Sequence, residues 1–142
     1  MDLMVKIYSI STIRKNVREY GKKINAPNRL LNVRSSSDEF GTPHIEVDEE
    51  GYNYVVIERG EEFERRKTKD IDKLLYWIFK SIVFIMANDY ELEHRKPNED
   101  FRRQLFAKQI ELMEKLDSKF AQWKKEELDK ILEESPYEDN LY

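Results

Sequence analysis

Residues Ile71 to Tyr90 read IDKLLYWIFKSIVFIMANDY, and the rest of the 142-residue chain has to be arranged around them. Ile71, Leu74, Leu75, Ile78, Ile82, Ile85 and Met86 recur at helical spacing, while Trp77, Phe79, Val83 and Phe84 fill most of the remaining circumference. A helix that is apolar nearly all round is either a core helix or a membrane span. A span needs about 20 predominantly apolar residues. Here Lys80 and Ser81 occupy the centre, and Asp72, Lys73 and Asp89 close the ends. A charge at mid-bilayer is costly, so the stretch reads as a central helix covered on several sides by the rest of the chain.

Immediately upstream the period changes from helical to two. Ile45 and Val47 alternate with Glu46 and Asp48, and Asp48-Glu49-Glu50-Gly51 suits a hairpin loop in which Gly51 takes positive φ. Tyr52, Tyr54 and Val56 then face one way, and Asn53, Val55 and Ile57 the other. A strand apolar on both faces belongs in the middle of three. Gly60-Glu61 fits a second two-residue turn with glycine at its first central position. The third strand, Glu62 to Lys67, is dense in charge, as suits an exposed edge. The fold class is therefore α+β: a three-stranded antiparallel β-meander packed on the central apolar helix.

Helical segments flank this unit. From Ser9 to Ile24, Ile10, Ile13, Val17, Tyr20 and Ile24 share a face, with Ser9 or Ser11 as cap and Pro27 as the stop. Residues 25–43 hold no clear period. Leu30, Leu31 and Val33 suggest a short extended piece, and Ser35, Ser36, Ser37 and Gly41 mark loop. After Pro97, apolar residues from Phe101 to Ile131 keep steps near 3.6, starting at Asn98 or Asp100. This long C-terminal helical region is either one helix or two that break near Asp117-Ser118, and mean helix length favours the break. Pro136 leaves SPYEDNLY as a tail outside the core.

Composition narrows the function. Charged residues make up 38% and aromatics 12%, which fits neither a disordered chain nor a membrane protein. The length suits a single domain over residues 1–142. There is no cysteine, so disulfides and thiolate zinc sites are excluded. The start, MDLMVKIYSI, carries Asp2 and no long apolar run, unlike a signal peptide, so a cytoplasmic location is expected. The net charge of −4 is unevenly spread: residues 126–142 hold seven acids and one base. That leaves about +2 on residues 1–125. An acidic end disfavours nucleic acid and favours a basic partner.

No phosphate-binding, zinc-protease or nucleophile-elbow motif is present, and no cofactor is implied. His94, with Glu91, Glu93 and Asp100 nearby, could form a metal or general-base site of a small hydrolase. A single histidine among scattered acids lacks ligand spacing and fits a helix-end residue better. Lys22-Lys23, Arg65-Arg66-Lys67 and Arg102-Arg103 could touch phosphate as a regulatory nucleic-acid-binding module, but each is flanked by acids, as on a solvated face. Arg95, Asp100, Arg102 and Arg103 straddle the bend after Pro97 and read as a structural network that caps the next helix. Arg59 is a candidate for partner binding. So is the acidic end: Glu126, Glu127, Asp129, Glu133, Glu134, Glu138 and Asp139 surround Tyr137, an aromatic placed like a hot spot with an electrostatic rim.

The runs VVIERGEEFERRKT, DKLLYWIFKSIVFIMANDYELEHR and DFRRQLFAKQIELMEKL, followed by the Trp123 helix and SPYED, resemble the immunity protein 63 family over about residues 52–139. The resemblance implies a non-enzymatic protein of bacterial polymorphic toxin systems that binds a cognate protein toxin and blocks it. It marks Arg59, Arg95, Asp100, Arg103, Tyr137 and Asp139 as the positions matching the family pattern. The expected partner is the toxin, a nuclease if its surface is basic, with neither nucleic acid nor membrane bound directly. The protein itself is expected to be a monomer or a weak homodimer through the edge strand.

Overall fold

A computed structural model describes residues 5–140. The expectation built on Asp2 and the start of the chain thus falls partly outside the described residues. The element order is α1 (Ile10–Lys23), β1 (His44–Asp48), β2 (Gly51–Glu58), β3 (Glu61–Thr68), α2 (Ile71–Glu93), α3 (Arg102–Leu116) and α4 (Ser118–Glu134). The class is α+β, with one antiparallel sheet in the order β1-β2-β3. No helix of the described residues is long and apolar enough to cross a membrane. The chain divides into two compact units. One comprises the chain up to Lys22 with Pro27–Phe79; the other comprises Lys23–Ala26 with Lys80–Tyr142.

In the first unit, α1 starts at a serine cap: Ser9 Oγ accepts the Thr12 N–H at 3.2 Å. Ile13 and Val17 are fully buried on its inner face. Gly21 is buried too, and a β-carbon there would lie 2.5 Å from Leu31 Cδ1, so a larger residue would require that side chain to shift. The expected extended piece at Leu30 is instead a short 3₁₀ turn, Asn28–Leu30. Pro27 explains this, since its carbonyl accepts the Leu30 N–H and closes the turn.

β2 is the middle strand and is buried along most of both faces, from Tyr52 to Val55. The sheet packs on the first turns of α2: Tyr54 meets Trp77 edge-on at 6.4 Å, and Arg66 lies 5.9 Å over the same indole. Trp77 is half-buried, whereas Leu74 and Phe79 are fully buried. Tyr52 accepts the Tyr8 N–H at 2.7 Å.

The β2–β3 turn differs from expectation. It is Arg59-Gly60, not Gly60-Glu61, since Glu58 pairs with Glu61 and β3 begins there. Both turn residues have positive φ, 52° and 78°, the signature of a type I′ turn, whose twist matches the flanking strands. Glycine at the second central position, not the first, decides which pair turns.

In the second unit, α2 continues through Val83 and Ala87, both fully buried. It is covered on several sides, as expected, and open on one: Phe84 is 48% and Leu92 56% exposed. Lys80 carries its charge to an ion pair with Glu127 at 2.7 Å. The C-terminal region is two helices. Asp117 breaks them with extended φ and ψ of −170° and 131°, and its carboxylate accepts the Lys119 N–H. α3 and α4 then fold back on each other. Leu105 and Phe106 of α3 pack beside Leu128 of α4 and Ala87 of α2, with Leu132 and Tyr137 against them.

Candidate functional site

The bend between α2 and α3 is tied to the end of the chain by a clasp. Asp100 is fully buried. Its Oδ1 accepts the Arg102 N–H at 3.0 Å, so it caps α3. Phe101, at φ −58° and ψ −24°, is already helical. Oδ2 of Asp100 accepts from Arg102 Nη2 at 2.8 Å and from the Glu138 N–H at 3.0 Å. In return, Asp139 Oδ1 accepts the Asp100 N–H at 2.8 Å and Arg103 Nε at 3.0 Å. Arg102 also donates to the carbonyls of Ser135 and Pro136, both at 2.9 Å. Pro136 stops α4, and these bonds turn the released chain back onto the start of α3.

Tyr137 lies within the clasp. Its ring is 4.3 Å from the Arg103 guanidinium, 5.5 Å from that of Arg102, and 6.1 Å from the Phe106 ring. The expectation that the tail lies outside the core is therefore corrected: Tyr137 closes the α3–α4 cluster. Electrostatics follow from the partners. Hydrogen bonds from Arg102, and after them from backbone amides, hold the Asp100 carboxyl far below the usual carboxylate range. The Arg103 guanidinium, then the Asp100 N–H, lowers Asp139. Burial raises the Tyr137 phenol against the pull of both arginines.

The structure thus brings Asp100, Arg102 and Arg103 together as expected and adds Tyr137 and Asp139 to them. It separates Arg95, which forms a bidentate pair with the buried Glu91 at 2.6 and 3.0 Å and sits 5.7 Å over Phe101. Among the acids of α4, Glu127 is taken by Lys80 and Glu126 accepts from Gln122 at 3.1 Å. Asp129, Glu133 and Glu134 face solvent, as does the Glu138 side chain. Arg59 stands exposed in the β2–β3 turn with no side-chain ion pair among the described residues.

His94 is positioned as a helix-end residue. Its Nδ1 is 2.9 Å from the Tyr90 carbonyl, which makes that nitrogen the protonated one, and its ring stacks on Tyr90 at 4.1 Å. Among the described residues no group of three or more acids and histidines is arranged to hold a metal ion.

Sequence reasoning missed the exposed aromatics at the β2–β3 turn. Phe40 is 85% and Phe63 61% exposed. Phe63 had a signal, as the single apolar residue between Gly60 and Asp70. Phe40 had none, because it sits in the stretch without periodicity.

The model of one family, Immunity protein 63, matches residues 48–130. The match takes in β2, β3, α2, α3 and most of α4, and leaves Phe40, Tyr137 and Asp139 outside it. No curated protein and no solved structure matches the chain.

Proposed function

The chain belongs to the immunity protein 63 family, and from that footing we propose that it binds the cognate toxin domain of a bacterial polymorphic toxin system and neutralises it by covering its active surface. Family membership is the observation that carries this reading. The charge distribution supports a toxin with a basic surface, and a nuclease is the toxin class that must present one to phosphate. The carboxylates of Glu126, Asp129, Glu133, Glu134 and Glu138 are exposed, and on this reading they attract such a surface and speed association. Tyr137 and Asp139 are engaged within the fold, and their contribution is to hold the end of the chain in place. The inhibitor acts by occupancy, with no bond made or broken.

The test is co-expression in a bacterial host with the toxin domain encoded beside the gene. The expected outcome is restored growth and recovery of the two chains as one complex. Continued growth arrest with both chains expressed and soluble would contradict the proposal.

A further inference from the structure

We propose that the toxin is gripped at the β2–β3 turn, where Phe40 and Phe63 flank Arg59 within a ring of glutamates. The inference rests on the toxin-binding reading above and gives that reading its contact surface.

The two rings lie at the same end of the sheet. Phe40 bridges to Glu58, the last residue of β2. Phe63 is the extra residue of a bulge on β3, since Ile57 pairs with Glu62 and Val56 with Glu64. Their backbones lie one strand spacing to either side of β2, roughly 10 Å apart across the sheet. Single exposed apolar residues are ordinary on protein surfaces. Here two phenylalanines, 85% and 61% exposed, lie near one end of β2 beside the turn that carries an arginine, and aromatic residues and arginine are the types enriched in interface anchors.

The loop bearing Phe40 is ordered, although its ring buries almost nothing. Asp38 Oδ1 accepts the Phe40 N–H at 2.9 Å, and Ser37 Oγ accepts the Glu39 N–H at 2.9 Å. Gly41 N–H donates to the Ile57 carbonyl at 3.1 Å, and Arg59 N–H donates to the Glu39 carbonyl at 3.0 Å. These bonds fix the loop to the hairpin and hold the ring out to solvent, so little ordering entropy is left to lose on binding. Arg59 is the third sign. At φ 52° it fills a turn position that asparagine or glycine takes without strain. Its side chain makes no ion pair among the described residues, so no pairing within them accounts for an arginine at this position.

The occupant follows from charge. Residues 58–64 hold four glutamates and one arginine. Glu62 and Glu64 are paired with Arg65 and Arg66. Glu39, Glu58 and Glu61 make no ion pair with a cation among the described residues. An aromatic pair rimmed by uncompensated acids fits a basic protein surface with apolar pockets, the surface expected of a toxin that acts on phosphate. Arg59, at the centre, is placed to meet an acidic group within that basic surface.

The experiment is surface-plasmon kinetics of the full chain against the purified toxin domain encoded beside the gene. Four variants are compared: Phe63→Ala, Phe40→Ala, Arg59→Asn, and Glu58→Lys with Glu61→Lys. Each altered side chain is exposed, so the phenylalanine and glutamate variants should melt near wild type and Arg59→Asn no lower than wild type. Each aromatic truncation should raise the dissociation rate at least about 30-fold, the conversion of a hot-spot loss at 1.4 kcal/mol per tenfold. The charge reversal should instead slow association, less so at high salt. Wild-type kinetics for both phenylalanine variants, with the wild-type protein binding tightly, would overturn this surface and leave the toxin-binding reading intact. No binding by the wild-type protein would overturn that reading and this surface with it. A wild-type dimer that Phe63→Ala dissolves, with toxin binding unchanged, would assign the patch to a second copy and also overturn the proposal.

Discussion

Replacing Asp100 by alanine removes one carboxylate that serves three structural ends: it caps α3, pairs with the Arg102 guanidinium, and holds the Glu138 amide. A cap alone is worth about 0.5–2 kcal/mol. Breaking a buried ion pair from one side costs about 3–5 kcal/mol, because the partner charge stays behind. The two figures overlap, since the same oxygens are involved, and cannot be added. Arg102 keeps its bonds to the Ser135 and Pro136 carbonyls, which soften its loss. The expected cost is therefore near the lower end, about 3 kcal/mol. Asp100→Asn retains one acceptor for the cap and should cost less. Urea unfolding followed by circular dichroism measures both, read as a shift in midpoint at constant slope. Toxin affinity of the folded fraction should change little. A loss under about 1 kcal/mol would refute the clasp as a stabilising unit. An unchanged melting temperature with abolished toxin binding would make the bend an interface.

Three further outcomes follow from the same geometry. Tyr137→Ala should destabilise by about 2–3 kcal/mol, because the ring closes the α3–α4 cluster and carries two guanidinium contacts; a melting curve matching wild type would show the tail packs nowhere. Asp100 and Asp139 both have folded pKa values below their unfolded ones, so the unfolded chain binds more protons in acid. Their stabilisation is complete above the ordinary aspartate range and is lost as pH falls through the lowered folded values. Melting temperature should accordingly fall more steeply with acid in wild type than in Asp100→Asn, and parallel curves would contradict the assignment. Arg59→Asn should raise stability by about 0.5–1 kcal/mol, since asparagine suits the left-handed turn position; thermal unfolding showing a loss instead would mean that Arg59 supports the hairpin.

Strong periodicity was legible at every level of the fold. The alternation of β1 and β2 and the near-continuous apolar run of α2 led to the observed elements, while the Asp117-Ser118 cap signal left one helix or two open and the structure has two. Local chemistry misled where two readings differed by one residue: Gly60 fits either turn position, and only the pairing of Glu58 with Glu61 shows that Arg59 shares the turn. The clasp was half visible. Asp100, Arg102 and Arg103 are neighbours in sequence, so their pairing could be read from spacing. Asp139 and Tyr137 lie more than thirty residues away, and nothing local says that a chain released by Pro136 turns back onto α3. Phe84 and Leu92 mark the side of α2 that stays uncovered, which a pattern apolar nearly all round does not single out. Phe40 lay beyond reach because its exposure depends on tertiary bonds from Gly41 and Arg59.

The central claim is stoichiometric occupancy of a toxin by this chain. Its most direct measurement is titration of the purified toxin domain encoded beside the gene, with toxin activity on its substrate read at each ratio. Binding by occlusion predicts that activity falls linearly and reaches zero near one inhibitor per toxin, with a 1:1 complex in solution. Full toxin activity at a tenfold excess of the chain would contradict it.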